Sequence, residues 1–174
     1  NDDSLDIFFF FFQPIFPILS TKYLALSTNQ GFSGAVKQGI DQSKYDYVCL
    51  LNNDLILDKL WFKKIGEFIS KNKDKQIATI CGTVLNQEGT LIESQGLDFF
   101  PSGKAVNINN GLPSTLRGAV IKRRGYLVWG SSAAAVVYRK SALLTAGSYV
   151  PIFFNYLEDV DVSYRLNQKH FKTI

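Results

Sequence analysis

A chain of 174 residues has room for one domain. With 46% hydrophobic and 20% charged residues it is neither disordered nor fibrous, and a net charge of +4 is far from the dense basic stripe of a duplex-DNA binder. Methionine is absent, which predicts a fragment or processed product, and aromatic residues reach 14%.

The aromatic excess begins at once. Ile7 to Leu19 reads IFFFFFQPIFPIL. Gln13, Pro14 and Pro17 interrupt it, and it falls short of the ~20 apolar residues of a spanning helix. Asp2, Asp3 and Asp6 precede it where a signal peptide would be basic. A buried segment is the leading reading for Phe8–Phe12, and a membrane-touching surface the alternative.

Tyr23 to Ser27 is a short apolar run ending in a polar turn, and Gly34 to Ile40 predicts a short helix. Tyr47 to Leu51 is continuously apolar, as expected of a strand covered on both faces. Leu60 to Lys71 is the clearest helix. Trp61, Ile65, Phe68 and Ile69 share one of its faces, and Asp58 is placed to cap it. Ile77 to Val84 is the next strand. Strands alternating with helices predict an α/β domain with a mostly parallel central sheet.

Leu85 to Gly125 breaks this pattern with repeated Gly and Pro, predicting turns and short hairpins and a basic loop from Thr115. Order returns at Tyr126 to Tyr138, followed by a helix from about Lys140 to Ala146. Asp159 to Gln168 predicts the last helix, with Val162 and Leu166 on one face. Cys49 and Cys81 lie inside apolar runs and read as free, buried thiols, which suits a cytosolic protein. With His170 alone, no zinc cluster or Cys–His nucleophile pattern arises.

Three places carry residue types suited to chemistry. Asn52-Asn53-Asp54 follows a central strand, where open α/β sheets bind ligands. Asp54 can ligate a divalent metal there, or the three can form a polar turn. Glu158, Asp159 and Asp161 crowd the start of a helix, whose dipole offsets part of their repulsion; one of them can act as a general base. They follow the apolar run Val150 to Phe154, so a strand-to-helix mouth is expected, and Asp161 can pair with Arg165 one turn on. Asn29 to Gly34 is a glycine turn able to present N–H groups to a phosphate or sugar.

The order and placement of the three resemble the family 2 glycosyltransferases, inverting enzymes with a GT-A fold, and among them the rhamnosyltransferase-like members. The resemblance rests on Asn29 to Phe32, Asn52 to Asp54, Trp129-Gly130 through Arg139-Lys140, and the phrase Phe153 to Arg165. It runs from about Asn29 to the C-terminus. Asn52 stands where the family's metal motif often has Asp, and Lys37 where it often has Asn. The family's N-terminal strand and C-terminal segment are not matched, so residues 1–174 are expected to form one incomplete GT-A domain.

The resemblance implies sugar transfer from a nucleotide-diphosphate donor to a glycan or lipid-linked acceptor in polysaccharide synthesis, with inversion. Asp159 would be the base and Asp54 would hold Mg²⁺ or Mn²⁺. Asn29, Gly31, Asn52, Asn53 and Gly130 would meet the donor; Trp129 and Glu158 would meet the acceptor. Lys122, Arg123 and Arg124 would meet a diphosphate or lipid headgroups, or form a solvated loop. Expected partners exclude nucleic acid. The expected location is cytoplasmic, with peripheral contact at the inner face of the membrane. A degenerate, non-catalytic nucleotide-sugar-binding domain and a nucleotidyltransferase are the alternatives.

Overall fold

The tyrosine that opens Tyr47–Leu51 starts an alternation that both faces of the strand use. Val48 and Leu50 of this strand, β1, enter one core, while Tyr47, Cys49 and Leu51 turn to the other. In the computed structural model, which describes residues 24, 26–116 and 127–174, the elements run in order from here. A helix, α1 (Gly31–Gln42), precedes β1. Then come α2 (Trp61–Lys71), β2 (Ile77–Cys81), β3 (Val84–Leu85) and β4 (Ile92–Ser94). They are followed by β5 (Leu97–Phe99), β6 (Ala105–Asn107), β7 (Ala135–Arg139), α3 (Lys140–Thr145), α4 (Glu158–Gln168) and β8 (Lys172–Thr173).

The main sheet has the order β1-β7-β2-β8. β7 is antiparallel to both neighbours, while β2 and β8 are parallel. This corrects the expected mostly parallel sheet to a mixed one. The unit β1–α2–β2 keeps its two strands in one direction, as expected, but leaves a gap one strand wide. β7 fills the gap in reverse, so β1, β2 and β8 share one direction and most ladders are antiparallel.

Two cores flank the sheet. On one side Val36 and Ile40 of α1, Ala142 and Leu143 of α3, and Val162 and Leu166 of α4 pack against Val48, Leu50 and Val136. Tyr138 and Tyr149 are fully buried there and satisfy each other's hydroxyls at 3.1 Å. On the other side the apolar face of α2 (Trp61, Ile65, Phe68, Ile69) covers Cys49, Ile80 and Val137. Both cysteines are free. Burial pushes the Cys49 thiol up to about 12 and the Cys81 thiol up to about 11.

Several boundaries differ from expectation. α1 begins three residues before Gly34, because the glycine turn itself winds into the helix. The expected strand Ile77 to Val84 breaks at Gly82-Thr83, and its end pairs with β4 in a separate two-stranded sheet. β5 and β6 form a second hairpin, as the glycine pattern implied. The cap of α2 is Leu60; the Asp58 carboxylate instead accepts the Leu60 N–H at 2.9 Å, forming a turn just ahead of the helix. Leu24, Leu26 and Ser27 are not in a strand. The Ile7–Leu19 run and Lys122–Arg124 lie outside the described residues. Among the described residues, no helix is long and apolar enough to cross a membrane.

Candidate active site

Antiparallel pairing sets the start of β7 beside the carboxyl end of β1, with Ala135 opposite Leu51. The short turn before β7 becomes a junction. The Asn52 N–H donates to the Ala134 carbonyl at 2.9 Å. One residue earlier, the Ala133 N–H donates to Oδ2 of Asp159 at 3.4 Å. The β1 end that leads into Asn52-Asn53-Asp54 and the first turn of α4 are therefore tied to adjacent residues of that turn.

Asp159 is held from two sides, its Oδ1 accepting the Val160 N–H at 2.8 Å. Burial raises its carboxyl above the usual range, and the bonds from Val160 and Ala133 pull part of that shift back. Glu158 is buried, and its Oε2 has no hydrogen-bond partner. Burial raises it too; its own backbone N–H pulls it down, and the Asp159 charge adds to the rise. Asp161 is committed elsewhere. Its Oδ2 takes Nη2 of Arg165 at 2.5 Å and Nε at 3.0 Å, the helical pair expected from the spacing. Arg165 also donates to the carbonyls of Ala146 and Ser148, tying the end of α3 to α4. Of the three acids, Glu158 and Asp159 remain for chemistry.

The glycine turn is fastened to the segment that leads into α4. Oδ1 of Asn29 accepts the Gly31 N–H at 2.8 Å, and Gly31 has φ +67. Two residues on, the Ser33 N–H donates to the Phe154 carbonyl at 3.1 Å. A β-carbon at Gly31 would overlap that carbonyl and come within 2.7 Å of the Phe154 ring. Phe154 lies four residues before Glu158. The expected strand ahead of α4 is instead a 3₁₀ turn, Pro151–Phe153, which Pro151 starts. Phe154, Tyr156 and Leu157 then take φ +48, +71 and +67, and Leu157 caps α4.

Other predicted residues have visible occupations. Gly130 is buried and exchanges backbone bonds with Leu97 at 2.8 and 3.1 Å. A β-carbon there would lie 2.5 Å from Cβ and Oγ of Ser163, so close packing on α4 accounts for the glycine. The Trp129 carbonyl accepts the Asn167 amide at 2.7 Å, and its ring stacks on Phe99 at 4.6 Å. Asn52, Asn53 and Asp54 are exposed. Among the described residues, no cluster of three or more His, Cys, Asp or Glu side chains could hold a metal. Asp54 offers one carboxylate, which fits a metal only if a bound diphosphate supplies further oxygens.

Sequence reasoning missed Ala133, Ala134 and the Phe154 carbonyl. All three act through backbone groups, which leave no side-chain signature.

Open α/β sheets bind ligands beyond the carboxyl ends of their strands, and the Asn52 and Asp159 contacts on the turn before β7 lie at the carboxyl end of β1. The chain belongs to glycosyl transferase family 2, whose model matches residues 2–143. Membership brings the GT-A fold and glycosyl transfer from nucleotide-sugar donors to glycan acceptors. The match begins well before Asn29, the expected limit, and it ends ahead of the Phe153–Arg165 phrase. The assignment of Glu158 and Asp159 therefore stands on geometry. No curated protein matches the chain.

Proposed function

We propose that the chain transfers a sugar with inversion from a nucleotide-diphosphate donor to an acceptor hydroxyl, as rhamnosyltransferase-like members of the family do in polysaccharide synthesis. One observation carries the reading: the Asp159 carboxylate is fixed on Ala133, next to the residue that anchors Asn52. That adjacency supports a base on the same side of the sheet as the donor residues.

Asp159 accepts the acceptor proton as its oxygen attacks. The raised carboxyl makes it a stronger base than a solvated aspartate. Glu158, buried beside it, orients the acceptor loop or the acceptor itself. Asn29 and Gly31 present the N-terminus of α1 to the donor phosphates, and Asn52 and Asn53 contact the donor through exposed amides. Trp129, tied to α4 through the Asn167 amide, would meet the acceptor. Asp54 would hold Mg²⁺ or Mn²⁺ together with the diphosphate; such a metal supplies positive charge to the leaving group. Gly130, besides packing on Ser163, would let the backbone approach the donor sugar. Hexosyl transfer, a lipid-linked acceptor, and a cytoplasmic position with membrane contact complete the proposal.

The test is transfer or hydrolysis of a panel of nucleotide sugars by the full chain with Mn²⁺, beside Asp159→Asn. Metal-dependent turnover lost in the variant supports the reading. Absence of metal-dependent binding of any nucleotide diphosphate sinks it and leaves a non-catalytic domain.

A further inference from the structure

The helix that carries Asp159 holds two polar residues of types that helices disfavour. Ser163 is 2% exposed in the middle of α4, and Asn167 lies half-buried one turn further on. Serine and asparagine rank low as helix formers, because their side chains compete for backbone groups. With Asp159 they make one stripe at positions i, i+4 and i+8. The segment from Trp129 to Ala133, which leads into β7, runs antiparallel along that stripe. The Trp129 carbonyl accepts Nδ2 of Asn167 at 2.7 Å. The Ser131 N–H donates to Oγ of Ser163 at 3.3 Å, and the Ala133 N–H to Oδ2 of Asp159 at 3.4 Å. Helix residues four apart thus meet chain residues two apart. The spacings agree, since four helical residues rise ~6 Å and two residues of open chain span at most ~7 Å.

The register is specific. A β-carbon at Gly130 would lie 2.5 Å from Cβ and Oγ of Ser163, so a slip of one residue, which brings Trp129 or Ser131 to that point, is blocked. Nδ2 of Asn167 also donates to the Ser163 carbonyl at 2.7 Å, which fixes the orientation of the amide. The bonds lengthen along the stripe, from 2.7 Å at Asn167 through 3.3 Å at Ser163 to 3.4 Å at Asp159. The last lies beyond the usual N–H···O range, so it is the one that a small shift of the segment breaks. The Val160 N–H bond to Asp159 comes from α4 itself and does not depend on the register.

We propose that Asn167 and Ser163 are positioning residues, which set the register of residues 129–133 on α4 and so hold the Ala133 N–H on the Asp159 carboxylate. Asn167 acts from ~12 Å along the helix. The same register places the Ala134 carbonyl on the Asn52 N–H, so it bears on the end of β1 as well. That the register serves catalysis rests on Asp159 being the base; the register itself does not. Loss of the Ala133 bond removes a donor that favours the charged carboxylate, so the Asp159 carboxyl rises further. The titratable groups that share its charge are Glu158 beside it and the buried Tyr138 and Tyr149. Burial pushes both tyrosines far above the range in which Asp159 titrates.

The experiment follows the Ala133 amide of the full chain by NMR across pH, beside kcat/KM for a nucleotide sugar with Mn²⁺ over the same range. The parent amide should shift as Asp159 titrates, and should stop shifting in Asp159→Asn. Asn167→Leu keeps the volume and removes the donor; it should lose most of that shift. Ser163→Ala keeps the β-carbon and removes Oγ; it should lose part of the shift, and it serves if Asn167→Leu does not fold. In both, the rise of kcat/KM should move to higher pH, and turnover of Asn167→Leu should fall about ten- to a hundredfold. Gln168→Ala, at an exposed neighbour on the same helix end, should leave both readouts unmoved. The proposal is overturned if the Ala133 amide titrates in Asn167→Leu and Ser163→Ala as in the parent. An equal loss in Gln168→Ala overturns it too, by assigning the effect to fraying of α4. If the amide shift is lost while kcat/KM keeps the parent's pH profile, the register stands and Asp159 is not the base, so the two failures are read apart.

Discussion

Gly31→Ala tests how the glycine turn is fastened to the site. Gly31 has φ +67, where a β-carbon costs about 1 kcal/mol relative to glycine. That β-carbon would also overlap the Phe154 carbonyl. Relief requires the 3₁₀ turn to back away, which breaks the 3.1 Å bond from Ser33 N–H to Phe154, worth about 0.5–1.5 kcal/mol. Displacing a packed segment adds about 1–3 kcal/mol. The expected loss is about 3 kcal/mol, a large part of the ~5–15 kcal/mol that keeps a domain folded. Urea unfolding followed by circular dichroism measures it. Phe154→Ala should not rescue the variant, since the nearest obstacle is a backbone oxygen. Because Phe154 leads into Glu158 and Asp159, the folded fraction of Gly31→Ala should also lose turnover. A stability change under ~0.5 kcal/mol, within the ordinary range for surface substitutions, would refute the reasoning.

Two further outcomes are expected. Gly130→Ala should cost about 1–3 kcal/mol by overpacking against Ser163, and Ser163→Gly should recover part of it. A double-mutant cycle with a coupling below ~0.5 kcal/mol would show that the contact does not account for the glycine. For Asp159, the folded carboxyl lies above its ordinary value, so the folded state binds the proton more tightly than the unfolded chain. The associated stability is full at pH below the ordinary carboxylate range and is lost as pH rises through the raised value. Asp159→Asn should then be at least as stable as the parent at neutral pH, and its advantage should shrink in acid. A variant clearly less stable at neutral pH would contradict the cause assigned to the shift. In the parent, kcat/KM should rise with pH through a value above the ordinary aspartate range.

β1 and α2 were legible because continuous burial and helical periodicity are written in side chains: Tyr47–Leu51 matched the expected span, and α2 began one residue late. The direction of β7 was not legible. Nothing in Ala135–Arg139 states which strands it will separate, since pairing order is settled by long-range packing. The Val150 to Phe154 run misled for a related reason. Apolar residues fit a strand or a tight turn equally, and Pro151 with the positive φ of Phe154 decided for the turn. At the site, Asn29, Asn52 and Asp159 could be picked out as polar residues at element ends. Their convergence could not, because it runs through the N–H of Ala133 and the carbonyls of Ala134 and Phe154.

The most direct test of the central claim compares donor binding and transfer in Asp159→Asn, using the full chain with Mn²⁺. The account predicts that nucleotide-sugar affinity stays near the parent's while turnover falls about 10²–10⁴-fold, as loss of a general base requires. A variant that turns over at the parent rate would remove Asp159 from the chemistry, and with it the assignment of this sheet edge as the active site.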